Sequence, residues 1–321
     1  MHTADSLDQA FARTKVQLRL WPQAFAQADW RALAHPAYRA YLENYHFATE
    51  CTARAGWLAL DSDRIWMQAF RPRDQAAQGT LVHLHGYYDH GASYPFLQRW
   101  CLAQQLIYCT VDLPGHGLSS GPRAAIDDFQ RYQQLLNQVL DQLRRERWPR
   151  PWLLSGFSTG GAIALEHAMQ QLQFDQLVLL APLVRPIGWT AIRRWRPLLN
   201  LVVRSVPRKH RDNSHDQAYL DFVREQDALQ PRRLPLVWVK ALGRWIRRIE
   251  KQPPCKARVI IIQGDADTTV DWSYNLSVLH RLLPNAKTHL LQGARHQLLN
   301  ESSEWQTQLA AHLLHWLKYN Q

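Results

Sequence analysis

No apolar run in this 321-residue chain approaches the ~18–20 residues needed to cross a bilayer. The first fifteen residues, MHTADSLDQAFARTK, lack the basic leader and apolar stretch of a secretory signal. Cysteine is scarce: Cys51, Cys101, Cys109 and Cys255 stand far apart, without a C-x-x-C pair. That spacing argues against a disulfide framework and for reduced thiols. No Cys/His group has zinc-ligand spacing either, so no metal site is expected. These absences together point to an intracellular, cytoplasmic chain.

What is present is a large apolar fraction, 46%, enough for a sizeable core. The net charge is +11, and it is unevenly spread. Residues 183–252 hold sixteen Lys and Arg against six Asp and Glu, a net of +10. A basic excess of this kind suits nucleic acid, an anionic membrane surface or acidic substrates. The same segment carries Trp189, Trp195, Trp238 and Trp245 among its arginines. Basic, Trp-bearing helices of this type lie on anionic membranes, and arginines also hold phosphate in bidentate contacts. Packing of the tryptophans beneath a solvated basic face accounts equally well for the composition. No nucleic-acid-binding motif accompanies the charge, and no nucleic-acid partner is expected.

Residues 1–50 read as a helical extension rich in aromatics (Phe11, Trp21, Phe25, Trp30, Tyr38, Tyr41, Tyr45) and broken at Pro22 and Pro36. A hairpin follows, with runs 51–60 and 64–72 joined through Asp61-Ser62-Asp63. From Thr80 onward short apolar strands alternate with amphipathic helices. The strands read TLVHLHG, IYCTVDLPG, PWLLSG, QLVLLAP, RVIIIQG and KTHLLQG. Among the helices, IDDFQRYQQLLNQVLDQLRRER has acids early and bases late, as the helix dipole favours. Strict alternation implies a mainly parallel sheet with helices on both faces. Residues 51–182 and 253–321 would form this core. Residues 183–252 interrupt it between two core strands, as an inserted basic helical cap.

Gly156-Phe157-Ser158-Thr159-Gly160 follows a strand and opens a helix. A G-x-S-x-G sequence in that setting is a nucleophile elbow, a tight turn that lifts the serine hydroxyl clear of the backbone. A hydroxyl needs a base, and the base an orienting acid, in the chain order Ser, acid, His. Gly264 ends a strand and is followed by Asp265-Ala266-Asp267. Gly293 ends the next and is followed by Ala294-Arg295-His296. The strand-Gly-x-x-Asp pattern selects Asp267. Asp265 reads as a turn residue and Asp271 as a helix-capping acid. His296, one helix and one strand later, is the base among fifteen histidines. Donors for an oxyanion would come from the backbone N–H of Thr159, after the nucleophile, and of Tyr87, in the loop His85-Gly86-Tyr87-Tyr88-Asp89-His90.

In order along the chain, LHGYYDHGASY, DLPGHGLSSGPR, GFSTGG, QGDADTTV and GARHQLLNE resemble the monoacylglycerol lipase and lysophospholipase branch of the α/β hydrolases, which overlaps with serine aminopeptidase-like families. The resemblance runs from about Thr80 to the C-terminus. It implies the α/β-hydrolase fold, a Ser158–Asp267–His296 triad with oxyanion donors at Tyr87 and Thr159, and no cofactor. It also implies that Asp112 and His116 hold a structural turn. Where the branch often has HGxGEH, this chain has Tyr88 and Asp89 in place of Gly and Glu, so Tyr88 should narrow the pocket. The expected reaction is hydrolysis of a lipid-like carboxylic ester, a monoacylglycerol or lysophospholipid, with an anionic membrane surface as a partner of the cap. An amidase, aminopeptidase or thioesterase would use the same triad. A non-catalytic binding module would typically lack one of its members.

Overall fold

The computed structural model describes residues 14–194 and 203–318; Phe11 and Trp195 lie outside the described residues. Strands β1 (Thr52–Leu60) and β2 (Asp63–Arg71) form an antiparallel hairpin, in register from Thr52 opposite Arg71 to Leu60 opposite Asp63. Helix α1 (Pro36–Asn44) precedes them, and next come β3 (Thr80–Leu84), helix α2 (Pro95–Ala103), β4 (Ile107–Val111) and α3 (Gln130–Arg145). Strand β5 (Trp152–Phe157), helix α4 (Thr159–Gln170) and β6 (Gln176–Leu180) complete the first half. Every residue of β3, β4, β5 and β6 is buried. Strands buried on both faces sit inside a layered sandwich, which explains their unbroken apolar runs.

The chain returns to the sheet with β9 (Val259–Gly264), α7 (Trp272–Leu282), β10 (Lys287–Leu291) and α8 (Ser303–Lys318). The eight strands lie in the order β1-β2-β4-β3-β5-β6-β9-β10. Strand β2 runs antiparallel to β4, and the six strands from β4 to β10 are mutually parallel. Side chains alternate across the sheet and feed two cores. Val82 and Leu84 join Leu136, Leu140 and Ile163 of α3 and α4 on one face. Leu81, Leu153 and Val178 join Leu97 and Leu313 on the other.

Helix α3 begins at Gln130, later than the acidic run suggests. Asp128 Oδ1 accepts the Gln130 N–H at 2.9 Å, so this acid caps the helix from outside its first turn. Arg144 and Arg145 occupy the last turn, where the dipole favours them.

The N-terminal stretch contains one described helix of nine residues, α1 (Pro36–Asn44), with Pro36 at its first turn, where its missing N–H costs nothing. Around it lie helical residues 14–19 and two single 3₁₀ turns. Phe25, Tyr38, Tyr41 and Leu42 are fully buried against the β1–β2 hairpin. Gly56 permits this contact, because a Cβ there would lie 2.7 Å from the Phe25 backbone.

Between β6 and β9 the described residues hold helical stretches at 189–194, 217–226 and 236–249 joined by loops, and a two-stranded ribbon is present as well. Its strands are β7 (Ser205–Pro207) and β8 (Arg233–Pro235), paired antiparallel with proline at an outer end of each. Helix α5 (Gln217–Asp221) runs into a π turn, Phe222–Gln226, and α6 (Leu236–Ile249) follows the ribbon. Trp238 and Trp245, seven residues apart on one face of α6, are buried. Trp245 Nε1 donates to Glu166 Oε2 of α4 at 2.9 Å and its ring stacks on Phe129 at 5.3 Å. Trp189 is buried too. Trp189, Trp238 and Trp245 therefore pack on the protein, and among the described residues of the segment the exposed large apolar side chains are Ile187, Ile192, Val203 and Val237. Among the described residues no helix is long and apolar enough to cross a membrane.

Candidate active site

Ser158 stands between β5 and α4 with φ 50° and ψ −108°. A non-glycine residue in that region is strained, and the strain persists because the surroundings hold it. The Ser158 N–H donates to Leu180 O at 2.9 Å, and its carbonyl accepts from Ala162 and Leu183. The flanking glycines are required by close approach. A Cβ on Gly160 would lie 2.0 Å from Leu84 O, and one on Gly156 2.3 Å from Gly160 O.

The side chain is 7% exposed and meets His296, whose Nε2 lies 3.1 Å from Ser158 Oγ. His296 Nδ1 lies 2.6 Å from Asp267 Oδ2. Asp267 also accepts the N–H groups of Thr269 (2.7 Å) and Val270 (3.1 Å) and the Gln263 amide (3.1 Å). Burial alone would raise its pKa. The His296 imidazole and these donors outweigh burial and hold the carboxyl below its ordinary range. Ser158, Asp267 and His296, expected from strand order and motif, thus converge at the C-terminal ends of β5, β9 and β10.

The other acids have different partners. Asp265 Oδ1 accepts from Gly293 N–H at 2.6 Å, tying the β9 and β10 loops together, and Asp271 caps α7. Asp112 is fully buried and accepts Gly91 and Leu118 N–H at 2.6 and 2.7 Å, while His116 Nδ1 lies 2.9 Å from Pro114 O.

The loop after β3 orients the Tyr87 peptide. His85 Nε2 accepts Leu113 N–H at 2.8 Å, which leaves Nδ1 to donate to Gly86 O, also at 2.8 Å. Burial pushes the His85 pKa well down, consistent with this neutral tautomer. Asp89 N–H donates to the same carbonyl at 3.1 Å. With Gly86 C=O held from that side, the trans peptide aims Tyr87 N–H the opposite way. Thr159 N–H opens α4 and has no acceptor within the helix. Neither N–H has a hydrogen-bond partner among the described residues.

A network that the motifs did not reveal lies behind this loop. Asp89, fully buried, accepts from Tyr94 Oη (2.7 Å), Gln230 Nε2 (3.2 Å) and Gln297 Nε2 (3.3 Å). Tyr94 Oη also accepts Gly86 N–H at 3.1 Å. Burial raises the Asp89 pKa despite these donors. Beside it His90 Nε2 lies 3.1 Å from Asp227 Oδ2, and Tyr45 Oη donates to Asp227 Oδ1 at 2.8 Å. The sequence signal was the motif position of Asp89, which stands where the branch often has Glu in HGxGEH, with His90 beside it.

Residues 211–215 are fastened to the loops that carry His296 and Asp267. Gln297 N–H donates to Asn213 O, Arg295 to Ser214 O and Ser214 Oγ to Asn300 O, at 2.7–2.8 Å. His215 N–H donates to Glu301, a fully buried carboxylate that also takes Arg295 N–H, and Arg211 donates to Thr268 O.

Ser158 and His296 open into a cavity of about 400 Å³. Leu236, Val239 and Leu242 of α6 supply part of an apolar wall, and Arg208, Lys209 and Arg211 border it as well. Tyr87 stacks on Trp238 at 3.8 Å between ring centroids. Tyr88 lines the cavity, as its size suggested, with φ 76°.

This geometry can be set beside known proteins. The sequence profile of Hydrolase_4, described as serine aminopeptidase, S33, matches residues 75–303. The chain belongs to this family. The matched region takes in β3 through β10 and leaves out α1 and the β1–β2 hairpin. Human monoglyceride lipase is 26% identical over 250 residues, covering 75% of this chain and 81% of the human protein. The mouse enzyme of the same name is 24% identical over 265 residues, covering 80% of this chain and 86% of its own. A soluble variant of Saccharomyces cerevisiae monoglyceride lipase superposes with a TM-score of 0.70 at 18% identity, covering 82% of this chain and 94% of the yeast one. The Paleococcus ferrophilus monoacylglycerol lipase gives 0.69 at 18% identity, covering 80% and 99%. The fold is the α/β-hydrolase fold.

Proposed function

We propose that the chain is a serine hydrolase that cleaves carboxylic esters of lipid-like alcohols, monoacylglycerols or lysophospholipids, through an acyl-Ser158 intermediate. The observation that carries this reading is the hydrogen-bonded series from Ser158 Oγ through His296 to Asp267, with separations of 3.1 and 2.6 Å. His296 Nε2 takes the hydroxyl proton as Oγ forms its bond to the ester carbonyl carbon. The carbonyl electron pair moves onto oxygen, where Tyr87 and Thr159 N–H stabilise it; one such donor contributes about 3 kcal/mol. Collapse expels the alcohol, which leaves with the proton held by His296. Water then repeats the sequence and frees the acid. Asp267 keeps the imidazole in the tautomer and orientation that both steps need. No metal or organic cofactor enters.

The lipid class is supported by the apolar wall of the cavity and by the monoglyceride lipases among the relatives. An aminopeptidase would need a free carboxylate to hold the substrate amine; the cavity is lined by Arg208, Lys209, Arg211 and Arg224, and its carboxylate, Asp89, is buried and already bonded to Tyr94, Gln230 and Gln297. Ser158→Ala should abolish both ester turnover and fluorophosphonate labelling. Undiminished turnover by that variant would overturn the assignment.

Residues 183–252 are proposed to act as a cap over the cavity and to meet an anionic membrane from the cytoplasmic side. Exposed Ile187, Ile192 and Val237 together with the local excess of arginine support this. Vesicle sedimentation at low salt tests it: binding should need anionic lipid, and equal binding to neutral vesicles refutes the electrostatic attachment.

A further inference from the structure

We propose that Arg208, carried on the ring of Tyr88, forms with Lys209 and Arg211 a subsite for a phosphoryl anion on the leaving group of the ester. The proposal rests on the ester-hydrolase reading above.

Tyr88 occupies a left-handed backbone position, φ 76°, that favours glycine. Its ring carries the Arg208 guanidinium 4.4 Å from the centroid. Arg208 also donates to Gln230 Oε1, and the buried Gln230 is itself fixed by its bond to Asp89. A half-buried guanidinium is thus held from two sides by neutral groups. Among the described residues no carboxylate forms an ion pair with Arg208, Lys209 or Arg211. Arg224, nearby, is paired with Asp212. Arg211 is positioned by Thr268 O, beside Asp267. His210, between the cations, is held below its ordinary pKa by burial and then by the positive charge of Arg208, Arg232 and Arg224.

The cavity therefore has an apolar wall on α6 suited to an acyl chain and a positive border whose neighbouring carboxylate, Asp89, is buried, bonded to Tyr94, Gln230 and Gln297, and in no direct ion pair with Arg208. A planar guanidinium already immobilised by stacking matches phosphate in a bidentate contact and loses little freedom on binding. The anion would sit on the leaving group, on the side of the cavity that Tyr88 borders. Two sources share this chemistry: a phosphorylated glycerol ester and a thioester of a phosphopantetheinyl carrier such as coenzyme A. In either case water supplies hydroxyl to the acyl carbon and a proton to the departing alcohol or thiol.

The test compares 1-dodecanoylglycerol, 1-dodecanoylglycerol 3-phosphate and dodecanoyl-coenzyme A, each below its micellar concentration, on wild type, Arg208→Gln and Arg208→Lys. The expected result is a higher kcat/KM for at least one phosphorylated substrate, expressed in KM and weakened by salt. In Arg208→Gln the phosphorylated-to-neutral ratio should fall roughly tenfold or more, as for loss of a charge-assisted hydrogen bond. Arg208→Lys should recover part of it. Competition by glycerol 3-phosphate or by free coenzyme A identifies the source. A ratio unchanged in Arg208→Gln, or a wild type that cleaves only the neutral ester, overturns the subsite and leaves the ester reading standing. No turnover of any substrate and no fluorophosphonate labelling overturns both.

Discussion

Replacing Ser158 by glycine should make the protein more stable than replacing it by alanine. The backbone at this position has φ 50° and ψ −108°, a conformation that costs a residue with a Cβ about 1–3 kcal/mol. Glycine adopts it freely but gives up about 0.5–1 kcal/mol of extra unfolded-state entropy. The net advantage of Ser158→Gly over Ser158→Ala is then about 0.5–2 kcal/mol. In a chain of this size that corresponds to a rise of roughly 1–3 °C in melting temperature. Both variants lose the hydroxyl and its bond to His296, so the comparison isolates the backbone term. Urea denaturation and calorimetry of the two proteins at pH 7 measure it. If Ser158→Gly melts at or below Ser158→Ala, the elbow stores no strain, whatever its dihedral angles.

Asp267→Asn should lower kcat by about 10³–10⁴-fold, since the amide cannot hold the imidazole in its working tautomer. The Asp267 carboxyl lies below its ordinary range in the fold. Its contribution to stability is therefore complete above the unfolded-state value and is lost as pH falls through the lowered one. Urea midpoints measured from pH 7 to pH 3 should show the wild type losing an increment that Asp267→Asn never had; parallel curves would contradict this. Tyr94→Phe strips Asp89 of its shortest hydrogen bond and leaves Gly86 N–H unpaired. It should cost about 1–3 kcal/mol of stability and loosen the Tyr87 turn, lowering kcat with little change in KM. Unaltered stability and kcat would remove Tyr94 from that role.

The parallel sheet was legible because burial on both faces forces unbroken apolar strands, and β3 to β6 carry them. The elbow was legible because two close backbone approaches leave only glycine at 156 and 160. The three converging side chains were legible from motif and chain order together: Ser158 stands between β5 and α4, Asp267 three residues after Gly264 at the end of β9, and His296 three residues after Gly293, beyond β10. Other parts were hidden for a physical reason. Asp89 meets Gln230 and Gln297 across 141 and 208 residues of sequence, and single glutamines leave no periodic trace. The tryptophans of α6 fitted a membrane face and a core face equally, and only their packing on Glu166 and Phe129 decides between them. The start of α3 was misplaced because an acid just outside a helix and one in its first turn read alike.

Residues 211–215 lie between β6 and β9, in the proposed cap, yet are bonded to the loops bearing His296 and Asp267. Any exchange of the insertion for that of a relative would have to leave these five residues in place, since removing them strips Gln297, Arg295 and Asn300 of partners. The variable part available to recombination then begins after His215 or ends before Arg211. Libraries that cut elsewhere would change specificity and disassemble the catalytic loops in one stroke.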